Sequence, residues 1–352
     1  MHSATELPLH GGKAPRWLFH RMVRLSGAIS NVIMDEFGAD ELLLRLSDPN
    51  WFQALSCAIG YDWHSSGTTT VTIGALKEAL NGSGEIFIAG GKGKAGMKTP
   101  EDIEKGTAEL SISAESEKFK ENSRLSAKID SALVYDRLGI YHHSFIFSKS
   151  RKWTVVQQGM FTDSDTAVRF QWFSESVDKN DIANEPHIAI HSHAHIRSLD
   201  LTSHDNAWAR SSGAEAIHEY NKILNHSYPH RHGIKPDIDL SKRAQNVLKV
   251  ASELDPKDYK EILLTKGIGR ATLRSLALVS SLIYDKELAY RDPVLYSYNL
   301  GGKDGIPFPV PRMTYDGVVR ELEGMVDSAH VETREKYYIL KRLKDSLSNG
   351  SN

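Results

Sequence analysis

Cysteine is nearly absent from this chain: Cys57 is the only one among 352 residues. An intramolecular disulfide and a cysteine-rich zinc site are both excluded, which points to a reducing, intracellular setting. Net charge is nearly absent too. Lys and Arg number 43 and Asp and Glu 45, leaving −2 at neutral pH with a pI near 6.8. A globally basic, histone-like binder is thereby excluded, and any contact with a polyanion has to come from a local patch. No apolar run approaches the length of a membrane span, and residues 1–13 lack a charged-then-apolar leader pattern. The expectation is a soluble, cytoplasmic protein without membrane contact. Solenoid repeats and low-complexity tracts are missing as well. What is present is a globular composition, 40% hydrophobic and 25% charged, on a chain long enough for two domains.

Apolar residues at Leu18, Met22, Leu25, Ile29, Val32 and Ile33 recur at helical spacing and predict an amphipathic helix over 15–37. Further helices are expected over 40–46, 51–59 and 72–80, then a short strand over 85–89. The glycine-rich stretch from Gly90 to Gly96 reads as a loop between that strand and a helix N-capped at Thr99, with Pro100 in its first turn. A long polar helix over 115–135 precedes two β-rich runs, 140–148 and 153–158, joined by a polar turn at 149–152. Strands over 168–173 and 188–196 and a helix over 205–224 follow. The reading is an α+β fold: a mixed domain with a mainly antiparallel sheet over 1–227, a linker over 228–239, and an all-α module over 240–352. Helices within that module are expected over 240–254, 256–264, 271–284 and 314–347.

The strongest local signal lies in 256–284. An apolar helix meets Gly267-Ile268-Gly269, and a second apolar helix begins at once. Glycines permit the tight hairpin and bring backbone NH groups close to a phosphate, while the new helix adds partial positive charge there. Lys266, Arg270, Thr272 and Arg274 surround the same point, and Ile268 is expected to lock the hairpin as a buried wedge. Such an element holds double-stranded DNA by its backbone rather than by its sequence. This segment resembles the helix-hairpin-helix of base-excision DNA glycosylases. At the positions where that superfamily carries a Schiff-base lysine and a catalytic aspartate, this chain has Ala271 and Ala289, with Asp292 three residues further on.

A wider resemblance rests on the stretches Leu7–Pro15, Asp62–Gly67, Ala89–Lys94, Tyr141–His143, Trp153–Met160 and Gly301–Pro307. Together they resemble domain-of-unknown-function family 763, found chiefly in archaea and thermophilic bacteria. The resemblance implies that the chain is one coherent unit and implies little about chemistry. One departure is Gln171, where the family pattern has a histidine before Trp172.

Several constellations carry chemistry. Lys92 and Lys94 in the glycine-rich stretch, with Lys98, are candidate anion ligands, although the spacing is not a Walker motif. Of the 16 histidines, His142 and His143 are candidate catalytic groups. His191, His193 and His195 alternate, so on a strand they share a face that suits a divalent metal, and that metal is the one cofactor suggested. Gln157 and Gln158 suit base edges, Lys303 a phosphate or a nucleophilic role, and Asp292 the glycosylase role. The leading expectation is a DNA-processing or DNA-repair enzyme, either a lesion glycosylase or a metal-dependent nuclease. Its catalytic set is drawn from Asp292, Lys303, Lys92, His142 and His143. A non-catalytic DNA- or RNA-binding factor is the alternative.

Overall fold

Spacing of three and four between apolar residues makes α1 (Arg16–Phe37) amphipathic, and Met22, Leu25, Ile29 and Ile33 form its buried stripe. The computed structural model describes residues 16–60, 67–162, 166–192, 195–218, 249, 252–253, 256–295 and 324. Helix α2 (Ala39–Ser47) follows at once. Asp48 then accepts a hydrogen bond from the Trp51 amide, and Pro49 occupies the first turn of α3 (Pro49–Ile59), a paired start signal. Helix α4 (Thr68–Leu80) begins four residues earlier than its apolar pattern suggests.

Five strands form one antiparallel sheet in the order β1-β2-β3-β4-β5: Ile86–Lys92, Leu138–Ser148, Trp153–Phe161, Ala167–Phe173 and His187–Ser192. Period-two alternation splits their side chains between two layers. Ile86, Ile88, Ile146, Val156 and Phe173 meet α1–α4 on one face. Phe87, Phe145, Phe147, Val155, Phe170 and Trp172 face the second core. That core is roofed by α6 (Thr99–Glu109), α7 (Ser116–Ile129) and α8 (Ala207–His218), together with the hairpin helices α9 (Tyr259–Leu264) and α10 (Arg270–Tyr284). The contact of α6 is tight: a Cβ on Gly106 would lie 2.3 Å from the Phe87 ring. Both faces of this antiparallel sheet are therefore covered, a pattern more familiar in parallel sheets, and any polar side chain along the strands is conspicuous.

The structure revises four local expectations. Strand β1 runs through Gly90 and Gly91 to Lys92, because both glycines take positive φ (86° and 140°) while still pairing with β2; a four-residue helix, α5 (Lys94–Met97), then follows Gly93. The Thr99 hydroxyl donates to the Gly96 carbonyl at 2.7 Å instead of capping α6. The polar helix over 116–134 ends in a π-helical turn, Asp130–Val134. Strand β5 stops at Ser192, four residues short of its expected end. The short strands β6 (Ser198–Leu199) and β7 (Tyr290–Arg291) pair, tying the segment before α8 to the segment after α10. Hairpin residues Tyr259, Ile262, Ile268, Leu273 and Leu276 belong to the same continuous core as the sheet. The expected linker at 228–239 and the helix at 314–347 lie outside the described residues, apart from Gly324 in the latter.

Candidate functional site

The sheet register places five polar residues opposite one another, one from each strand: Lys92, His142, Gln158, Arg169 and His191. They share the face covered by α1–α4 with Ile86, Ile88, Ile146, Val156 and Phe173 and with the buried polar residues Ser144, Thr154 and Gln171. A β-bulge between Ile140 and His142 makes this possible. Without it His142 would point to the same side as Ile140; with it, His142 joins the row and His143 turns to the opposite core. Re-aiming a side chain in this way is a recurring use of bulges near functional sites.

His142 is the most constrained member of the row. Its ring is 1% exposed, Nε2 lies 2.8 Å from the Ser144 hydroxyl, and Nδ1 has no partner among the described residues. Burial, then the neighbouring His143, Lys92 and Lys77, hold its pKa down at about 3, so the ring is a neutral imidazole. Arg169 is also buried. Its guanidinium reaches Gln53 Oε1 at 3.3 Å and lies 3.4 Å from His191 Nδ1. The same guanidinium lies 4.6 Å from the centre of the Phe52 ring. Exposed Lys92 stands over the Tyr141 ring at 5.8 Å, at the open edge of the row.

The glycine-rich segment is bonded into the fold beside this row. Gly90 NH donates to Asp102 at 3.0 Å and its carbonyl accepts from Lys77 at 2.9 Å, while Lys77 and Asp102 pair at 2.6 Å. Gly93 NH donates to the Tyr141 carbonyl. These groups are engaged within the protein, and no side chain fits at Gly90, where a Cβ would lie 2.3 Å from the His143 carbonyl oxygen. The lysines Lys92, Lys94 and Lys98 are exposed around the segment.

On the opposite face a buried chain of hydrogen bonds crosses the sheet. Ser123 Oγ lies 2.7 Å from His143 Nε2, and His143 Nδ1 lies 2.8 Å from Gln157 Oε1. An amide oxygen only accepts, so Nδ1 donates, and Nε2 of the neutral ring accepts from the serine. Gln157 Nε2 donates to Asp130, as does Trp172 Nε1 at 3.1 Å, and His187 Nε2 approaches Asp130 at 2.6 Å. Burial pushes the Asp130 carboxyl above its ordinary range, with His187 the chief counterweight, followed by the Trp172 and Gln157 donors. Burial also holds His143 down at about 4, opposed by Gln157. Asp130, the first residue of the π-helical turn, Ser123 and Arg169 were missed in the sequence, where nothing marks them. Only the strand register and the end of α7 bring them into place.

The remaining expected site residues divide. In the turn between α9 and α10, Gly267 takes φ 92° and Ile268 is buried. Three of its expected phosphate ligands face inward, however. Arg270 donates to the carbonyls of Ser131, Asp136 and Leu138; Arg274 donates to Leu199 O at 2.8 Å and pairs with Asp136 at 2.7 Å; Thr272 is buried. Lys128 donates to the Ile268 carbonyl. Lys266 and Gly267 remain exposed at the tip, and Gly269 faces open space with no side chain capping α10. Asp292 lies 2.6 Å from His195 Nδ1, remote in sequence from the row. Gln171 donates to the Leu46 carbonyl at 2.8 Å, a structural role. Lys303 and His193 lie outside the described residues. Because β5 ends at Ser192, His191 and His195 do not share one strand face. Among the described residues no three His, Cys, Asp or Glu side chains gather in a metal-ligating group. Among those residues, too, no helix is long and apolar enough to cross a membrane.

Comparison with known proteins finds neither a curated protein nor a solved structure that matches this chain. The sequence profile of one family, described as a protein of unknown function (DUF763), matches residues 3–310, which contain every numbered strand and helix above. The chain belongs to the DUF763 family.

Proposed function

We propose that this protein is a DNA-processing enzyme whose reactive groups are drawn from the row Lys92, His142, Gln158, Arg169 and His191, with the hairpin tip holding the phosphate backbone. The observation that carries this reading is the row itself. Beneath α1–α4 the sheet places a buried imidazole, amide and guanidinium in one line and leaves His142 Nδ1 without a partner among the described residues. Such groups cost stability, and folded proteins retain them chiefly where function requires them.

The chemistry suits a phosphodiester. Lys92 supplies positive charge at the edge of the row, and an anion bound there offsets one of the contributions that, after burial and His143, lower the His142 pKa. His142 then gives a proton to a leaving oxygen only after substrate is bound. At the hairpin, Lys266, the Gly267 and Gly269 backbone and the N-terminus of the 15-residue helix α10 suit a second phosphate. Arg270, Arg274 and Thr272 fix the hairpin to the rest of the fold.

End-labelled duplexes containing uracil, hypoxanthine, an abasic site or no lesion test this reading, incubated with and without divalent metal or EDTA and read with and without alkali. Product that depends on the lesion and disappears in His142→Gln is the expected result. Alkali-dependent breaks identify base release, and EDTA-sensitive direct breaks identify metal-assisted cleavage. Salt-dependent binding without product from any substrate selects the non-catalytic DNA- or RNA-binding factor instead.

A further inference from the structure

From the last residue of β1 to the residue before α6 the chain reads Lys92-Gly93-Lys94-Ala95-Gly96-Met97-Lys98, three lysines without an acid among them. The fold holds this segment at several points. Gly93, at φ 57° and ψ −118°, takes a backbone conformation that residues with a side chain avoid, and its NH donates to the Tyr141 carbonyl at 2.8 Å. A Cβ on Gly96 would lie 2.9 Å from the Gly91 carbonyl oxygen, so α5 is folded closely onto the end of β1. The Gly96 carbonyl accepts from Thr99, and the Lys98 carbonyl accepts from the Asp102 NH at 2.9 Å, which joins the segment to α6.

This mount holds up an apolar tip. Met97 is 81% exposed, the most open large hydrophobic side chain among the described residues, with Phe37 next at 56%. Lys92, Lys94 and Lys98 are exposed around it, and none of the three forms an ion pair among those residues. Of the two acids in the first turn of α6, Asp102 is taken up by Lys77 and the Gly90 NH, so Glu101 alone opposes three free cations. A lone exposed apolar side chain is ordinary on a surface. One on a rigid mount among uncommitted cations is complementary to a partner that is anionic outside and apolar within. Duplex DNA has that construction, phosphates around stacked bases. A lipid surface shares the charge, but its hold grows with buried apolar area, and one methionine offers little of that. A single unbranched side chain is enough to enter a base step.

We propose that Met97 is a wedge that enters a base step of duplex DNA while Lys94 and Lys98 hold the phosphates on either side of it. The inference rests on the reading of this protein as a DNA-processing enzyme and adds how the duplex is opened. Lys92 belongs both to the row and to this segment, so the step is loosened beside the row. An intact stack keeps its bases out of reach of reactive groups, and unstacking removes that barrier.

Short duplexes carrying 2-aminopurine at an internal position, titrated with the full chain, test the wedge by binding rather than by product. A saturable rise in fluorescence is expected, lowered severalfold in Met97→Ala, retained in Met97→Leu, and accompanied by little change in affinity. Lys94→Ala/Lys98→Ala should lower the slope of log affinity against log salt by about two. All three side chains are exposed, so each variant should melt with the native protein. A rise that persists in Met97→Ala, a slope indifferent to the two lysines, or Met97-dependent binding to phosphatidylserine vesicles without a rise on DNA would overturn the wedge. A Met97-dependent rise without product from any duplex supports the wedge and counts only against the enzymatic reading. Absence of all DNA binding would overturn both.

Discussion

His142 and His143 are adjacent in the chain, yet one bulge sends them to opposite faces of the sheet, and the two faces treat an imidazole differently. His143 is completed on both nitrogens, by Ser123 and Gln157, in a chain that continues to Asp130 and His187. His142 has one nitrogen held by Ser144 and the other without a partner. Polar groups whose bonding capacity is satisfied rigidify a core, whereas a buried group left incomplete points to something it must still bind. On the proposed reading the Asp130 chain serves structure and His142 serves chemistry.

Breaking the structural side has the largest expected effect. Asp130→Ala leaves donors on Gln157, Trp172 and His187 without an acceptor in a fully buried place. A loss of about 3–5 kcal/mol in urea unfolding is expected, and a loss under about 1 kcal/mol would remove the structural role. Next comes acid. Both histidines titrate near 6.5 when unperturbed and are held at about 3 and about 4 in the fold, so the unfolded chain binds more protons as pH falls. Their contribution is present in full above about 6.5 and is lost progressively as pH falls through their folded values, several kcal/mol in all by order of magnitude. Asp130, with its carboxyl raised, acts in the opposite sense. Melting temperatures from pH 7.5 to 4.5 should fall steeply for the native protein and more gently for His142→Gln/His143→Gln; equal slopes would contradict the assignment.

Smaller effects sharpen the contrast. Gly106→Ala forces a methyl into the Phe87 ring where α6 meets β1, with an expected cost of roughly 1–3 kcal/mol and no change in any DNA affinity. Lys92→Ala removes an exposed cation at the edge of the row. Stability should not change, and the slope of log affinity against log salt should fall by about one. An unchanged slope would place Lys92 outside the contact.

Much of the scaffold was legible in the sequence. The α1 stripe is a matter of local spacing, the polar turn at 149–152 announces the β2–β3 hairpin, and Gly267-Ile268-Gly269 announces the α9–α10 turn. The site was legible only in fragments. Lys92, His142 and His191 were recognisable as reactive types, but their alignment with Gln158 and Arg169 depends on strand register and a bulge, which no local pattern encodes. Arg270 and Arg274 illustrate the converse. A basic flank reads as a phosphate contact, and only the neighbouring backbone shows the guanidiniums turned toward carbonyls of the fold.

The most direct test of the row as a reactive surface compares the native protein with His142→Gln on the same labelled duplexes, scoring affinity and product together. The account predicts binding within about twofold and a rate lower by about 10²–10⁴-fold, the usual contribution of a positioned acid or base. Product formed at the native rate by His142→Gln would contradict it.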